Sequence, residues 1–229
     1  MPTSGTINSS MTASQIMDQA AKELGYIGAG ENLSGTEYED ILPRLNFMLK
    51  SWQAEGVNLW REEEGTASFP AGTATITLDP FVLDVLEARA VQSSTYQRPL
   101  QRWEIGEYNA VPNKSQRGYP SSFYVRKAAA EVNLALWPVP VQDIDIVYSY
   151  ARVIEDVTDG SQTLDVPQMW LETVWVNLAA RCATLFGATR LDPSAVQLVQ
   201  GKADYLYQRM LDADRPASVM MGSVYSRYF

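Results

Sequence analysis

The apolar residues of this chain change period twice, and that change restricts its fold more than any motif does. Up to about residue 56 they recur every three to four positions, and from about residue 166 they do so again. Between those limits they alternate with polar residues in short runs. A helical stripe cannot serve as a pleated strand face, nor the reverse, so the chain must be helical at both ends and β-rich in the middle. The stretch "NLALWPVPVQDIDIVYSYARV" (133–153) shows the β texture at its clearest. Val132, Leu134 and Leu136 share one face of a strand, and Ile144, Ile146, Tyr148 and Tyr150 share one face of the next. Trp137-Pro138-Val139-Pro140 separates them. Prolines cannot donate to a ladder, so the pattern predicts an antiparallel hairpin whose tip is stiffened by Pro138 and Pro140 and exposes Trp137.

Other strands or extended runs are expected at 73–78, 83–92 and 121–127. The run at 83–92 is ambiguous, because Leu83, Leu86 and Ala90 also suit a helical turn. "WEIGEYNAV" (103–111) could hold a short helical turn, and "PNKSQRGYP" reads as a loop. In the first helical part, Thr12 is placed to cap a helix over 13–24, with Ile16, Met17, Ala20, Ala21 and Leu24 on one face and Gly25 as its stop. A second helix should begin after Thr36, bury Ile41, Leu45, Met48, Leu49 and Trp52, and close at Gly56. Pro43 should bend it or mark where its regular part begins. After Pro167 a third helix should bury Met169, Trp170, Val174, Leu178, Cys182 and Leu185. From Pro193 a fourth should bury Val196, Val199, Ala203, Leu206 and Met210.

These patterns predict an α+β protein: a four-helix bundle formed by both chain ends, an inserted antiparallel β domain and an extended C-terminal tail. The expected boundaries are a flexible tail at 1–11, helices at 12–56, the β insertion at 57–165, helices at 166–214 and a docking tail at 215–229.

Composition narrows the function. The chain of 229 residues contains no histidine and one cysteine, Cys182. Serine–histidine and cysteine–histidine catalysis, histidine metal ligation and an internal disulfide framework are therefore excluded. No phosphate loop, dinucleotide fingerprint or nucleophile elbow is present. The acidic run "REEEG" (61–65) could serve paired-carboxylate chemistry or hold Mg²⁺, but on a strand its glutamates alternate between faces, and a solvated charge run is the simpler account. The reading is a non-enzyme with no cofactor and no metal. No run of about 18 apolar residues suits a membrane span, and the N-terminus lacks the features of a secretion signal. A net charge of −9 opposes bulk attraction to nucleic acid or anionic lipid. Arg89, Arg98, Arg102, Lys114, Arg117, Arg126 and Lys127, set against Glu104 and Glu107, make the stretch 89–127 locally basic. That stretch is either a solvated loop surface or a docking face for an acidic neighbour.

Three runs carry a resemblance. "RLNFMLKSWQAEGVNLW" (44–60), "PSSFYVRKAAAEVNLALWPVPVQDIDIVYSYARV" (120–153) and "VPQMWLETVWVNLAARCATLFG" (166–187) follow one another as in the head-to-tail adaptors of short-tailed bacteriophages, the tail tubular protein A-like connectors. The order of these features over residues 12–212 resembles that family. The resemblance implies a structural virion protein of the tail and neck region, assembled in the host cytoplasm. It implies a homo-oligomeric, dodecameric ring that joins the portal protein to the tail nozzle protein and continues the DNA channel, with DNA passing through without specific binding. On this reading Arg215, Met220, Met221, Tyr225, Tyr228 and Phe229 in the C-terminal tail dock on the portal. Trp137, Pro138 and Pro140 at the hairpin tip meet a tail component. The competing reading is a carbohydrate- or host-surface-binding β module on a helical oligomerisation stalk, with Trp137 stacking on sugar.

Overall fold

The computed structural model describes residues 10–55, 62–92, 96–128, 131–187 and 191–213. They divide into two compact units, one built from 1–60 and 154–229, the other from 61–153.

The helical unit contains α1 (Ala13–Glu23), α2 (Gly35–Ala54), α4 (Leu171–Cys182) and α5 (Pro193–Ala213). Thr12 caps α1 in a capping box with Gln15, and Gly25 follows the helix at φ +69°, where a side chain would be strained. All five residues expected on its inner face are buried. Helix α2 starts two residues earlier than expected, at Gly35, because Ser34 and Glu37 form its capping box. It runs through Pro43 without ending there. Ile41, Leu45, Met48, Leu49 and Trp52 are all buried, as their spacing requires.

The expected four-helix bundle does not describe this unit. The described residues hold five helices, one of which, α3 (Ile105–Ala110), belongs to the other unit. In the helical unit α4 lies against α1, α2 and α5, with Val174, Val176 and Leu178 fully buried. The returning segment also enters this core through Ile154, Val157 and Leu164. It closes the start of α1 as well: Ala13 N–H donates to Gln162 O (2.8 Å) and Ser14 N–H to Gly160 O (2.9 Å). Residues 168–170 form a 3₁₀ turn ahead of α4 and leave Met169 75% exposed, so Met169 is not a core residue.

The β unit has two four-stranded sheets. One has the order β1 (Glu62–Phe69), β10 (Ile144–Arg152), β3 (Val82–Val91), β4 (Gln97–Pro99). The other has the order β2 (Thr75–Thr77), β8 (Val132–Trp137), β7 (Ser122–Lys127), β5 (Gln101–Trp103). Phe69, Val85, Ile146 and Tyr148 from the first share a core with Phe123, Leu134 and Leu136 from the second. A short pair, β6 (Arg117–Gly118) with β9 (Val139–Pro140), completes it. Most pairings are antiparallel, but β5 with β7 and β6 with β9 are parallel.

The predicted hairpin is absent. β8 and β10 lie in different sheets, so the proline segment carries the chain from one layer to the other. Strand β3 explains its own ambiguity. Its ladder with β10 shifts register twice, so Leu86 and Leu83 fall between paired positions. Buried residues then recur at 82, 85, 88 and 90, a spacing that imitates a helix.

Candidate docking surfaces

The sequence placed Trp137, Pro138 and Pro140 at an exposed tip; the structure places them in a joint. Trp137 is half-buried, its ring tilted against Trp103 with centroids 5.2 Å apart. Its indole N–H donates to Asn113 O (3.2 Å), and its carbonyl accepts from Ser121 N–H (3.0 Å). The Trp137–Pro138 peptide is cis. Pro138 packs on Gly118 so closely that a Cβ there would stand 3.3 Å from the proline Cβ. Pro140 is buried; its carbonyl accepts from Gly72 N–H, and Val139 N–H donates to Gln116 O, both at 2.8 Å. Having no N–H, neither proline can donate to a ladder, and the segment is tied instead through the Trp137 and Pro140 carbonyls and the Val139 N–H. The same outer face holds Tyr108 stacked on Tyr124 (4.8 Å), with Lys114 Nζ 5.4 Å from the Tyr108 ring centre. These rings use one another's faces.

Much of the expected basic surface is internally compensated. Arg102 and Lys127 both reach Asp84, at 3.2 and 2.9 Å, and Arg102 also donates to Val85 O. Arg89 pairs with Glu64. Arg98 and Arg126 are exposed. Two of the glutamates of "REEEG", Glu63 and Glu64, are employed the same way. Glu63 accepts from Tyr150 Oη (3.0 Å) and lies 2.8 Å from Arg152 Nε. Burial, then this bond to Glu63, raises the Tyr150 phenol above its ordinary pKa. Among the described residues no group of three or more acidic or thiol side chains is arranged to hold a metal. Burial pushes the Cys182 thiol up to about 11, which makes it a core residue rather than a nucleophile. Trp170 and Trp175 pack against the helical core, and Tyr148 is part of the β core.

The six tail residues expected at the portal, Arg215, Met220, Met221, Tyr225, Tyr228 and Phe229, lie outside the described residues. Sequence reasoning missed an exposed apolar surface on the helical unit. Phe47 on α2 and Leu198 and Tyr205 on α5 are 72%, 75% and 62% exposed. Pro43, Phe47, Leu42 and Val157 line an open cavity of about 390 Å³. The signal was present, since Phe47 lies off the 41-45-48-52 stripe and Leu198 and Tyr205 lie off the 199-203-210 stripe.

No helix among the described residues is long and apolar enough to cross a membrane. No curated protein matches the chain. Among solved structures it is similar to a chain in the neck of an empty GTA particle computed with C6 symmetry, at 13% identity. That likeness covers 83% of this chain and 93% of the other, with a TM-score of 0.25. The family model described as SU10 adaptor protein matches residues 11–225, which takes in both helical ends and the whole β unit. The adaptor resemblance of the three sequence runs thus stands, and the chain belongs to the SU10 adaptor protein family.

Proposed function

We propose that this protein is a structural head-to-tail adaptor of a phage particle: a ring subunit between the portal protein and the tail nozzle, with the DNA path running through its centre. The family match over 11–225 is the observation that carries the reading. Two further features support it. The helical unit contains nine Lys and Arg against 16 Asp and Glu, and the β unit nine against 11, so formal charges of −7 and −2 add to the chain's −9. A ring of twelve such chains carries on the order of a hundred negative charges, which suits a conduit that must release DNA rather than hold it. The β unit also holds its aromatic and proline-rich joint by many backbone bonds, as befits a part that transmits load between neighbours.

On this reading the C-terminal tail, 215–229, orders on the portal through Met220, Met221, Tyr225, Tyr228 and Phe229, and Arg215 starts it. The β unit, with Trp137, Pro138 and Pro140 as its rigid joint, faces the next tail component. The sugar-binding alternative gains no support, because the Trp137 ring is already engaged by Trp103 and Asn113.

The test is native mass spectrometry with negative-stain imaging, with and without the portal protein of the same particle. A closed ring seated on the portal is expected. Deleting 215–229 should abolish seating and leave the fold unchanged. A full-length chain that ignores the portal would overturn the adaptor reading, and seating by the truncated chain would overturn the tail assignment alone.

A further inference from the structure

The exposed apolar residues of the helical unit fall on two helices with matching spacing. On α2, Glu39, Pro43 and Phe47 are each four residues apart, all exposed, on the side opposite the buried 41-45-48-52 stripe. On α5, Gly201, Tyr205 and Arg209 are also four apart and exposed, opposite the buried Val199, Ala203 and Met210. A glycine in the middle of an exposed helix weakens it, and Gly201 has no packing reason within the chain, since a Cβ there would meet no atom within 4 Å. A gap of this kind admits a projecting side chain from another body. Phe47 projects from α2 beside the cavity walled by Leu42, Pro43 and Val157. Single exposed apolar residues are ordinary on a protein surface; here Phe47 on α2 and Leu198 and Tyr205 beside Gly201 on α5 supply two different apolar faces on one unit.

The geometry points to a heterologous contact in which α5 of one copy lies antiparallel along α2 of the next. This rests on the ring reading above and names the surface that closes the ring. One register satisfies the whole face. Phe47 enters the gap at Gly201, Tyr205 lies on Pro43, and Leu198 covers the stem of Lys50. In the same register Arg209 meets Glu39, so a pair of opposite sign closes one end of the face. Arg209 and Glu39 are both exposed. Arg209 rests 5.9 Å from the Tyr205 ring, on the exposed face of α5. For a chain with net charge −9, copies repel one another, so a local pair of opposite sign and an apolar centre are what association requires. Because the two faces differ, the contact is head-to-tail, and it generates a ring when the rotation closes.

The experiment uses the full chain. Glu39→Arg and Arg209→Glu are made separately, and self-association is followed by sedimentation velocity and native mass spectrometry. Each variant alone should associate roughly tenfold more weakly or worse. An equal mixture of the two should recover wild-type assembly, because every groove then meets a ridge of opposite sign. A second chain carrying Phe47→Cys and Gly201→Cys should give a ladder of covalent multimers under mild oxidation, while each single-cysteine variant should give none. The native thiol does not interfere, since Cys182 is buried. An assembling wild type whose cysteine pair forms no ladder, or closes only within one chain, overturns this surface and leaves the ring reading standing. A ladder that appears only after removal of 214–229 makes the chain's own tail the occupant, and also overturns it. A wild type that forms no ring even on the portal overturns both.

Discussion

Gly65 shows how closely single residues are held in the β unit. It lies mid-strand opposite Tyr148, and a Cβ there would stand 2.8 Å from both Cζ and Oη of that buried ring. Gly65→Ala should therefore destabilise the β unit by about 1–3 kcal/mol in a urea titration, because the ring has nowhere to move within the core. Asp18 does the corresponding work in the helical unit. It is buried, and its Oδ1 accepts from Leu33 N–H (3.0 Å) and Tyr38 Oη (2.7 Å), tying the α1–α2 loop to both helices. Asp18→Ala should cost about 1–3 kcal/mol by leaving the buried Leu33 N–H without an acceptor. Desolvation, then the bond to Asp18, pushes the Tyr38 phenol up to about 12 from 10.0. A raised folded pKa stabilises the fold fully below pH 10 and loses that contribution as pH climbs through about 12. Alkaline unfolding followed by tyrosinate absorbance should shift to lower pH in Asp18→Ala.

At the scale of elements, α2 is informative because it tolerates a proline that should break it. Pro43 lies on the outward side, so the carbonyl it leaves unbonded, that of Glu39, faces water. Pro43→Ala should stabilise the chain by about 1–3 kcal/mol in thermal unfolding. If α2 carries the contact inferred above, the same variant should also associate less well, since alanine removes the surface under Tyr205. Helix α5 is fastened from the side by Lys202, which reaches Glu23 of α1 (2.9 Å) and Glu172 of α4 (3.2 Å). The hydrogen bond to Glu23 leads the effects that raise the lysine above its ordinary 10.5. Its contribution is full below that pH and is lost as pH rises through the raised value. Lys202→Met should accordingly narrow the difference in melting temperature between pH 8 and pH 11.

For the molecule as a whole, two units with separate cores predict separable unfolding. Cys182, buried in the helical core, supplies a reporter for that unit alone. In urea its reaction with an aromatic disulfide reagent should follow a different curve from the loss of β circular dichroism. Gly65→Ala should move only the second curve. Coincident curves shifted together by that substitution would show one cooperative body.

What the sequence determined by itself is whatever depends on neighbours a few residues away. The Thr12 cap, the stripes of α1 and α2, the inward faces of β8 and β10, and the order helix, sheet, helix all follow from local period and capping chemistry. The adaptor family was legible as well, because it rests on the order of such features. Only the tertiary structure decided which strands pair. Period fixes a strand's face but not its partner, so β8 and β10 suggested a hairpin although they belong to opposite layers. It also decided that Trp137 meets Trp103 and Asn113 rather than solvent, and that segment 154–165 seals α1. These contacts join residues far apart in the chain, and their energy depends on shape and on backbone groups that every residue shares.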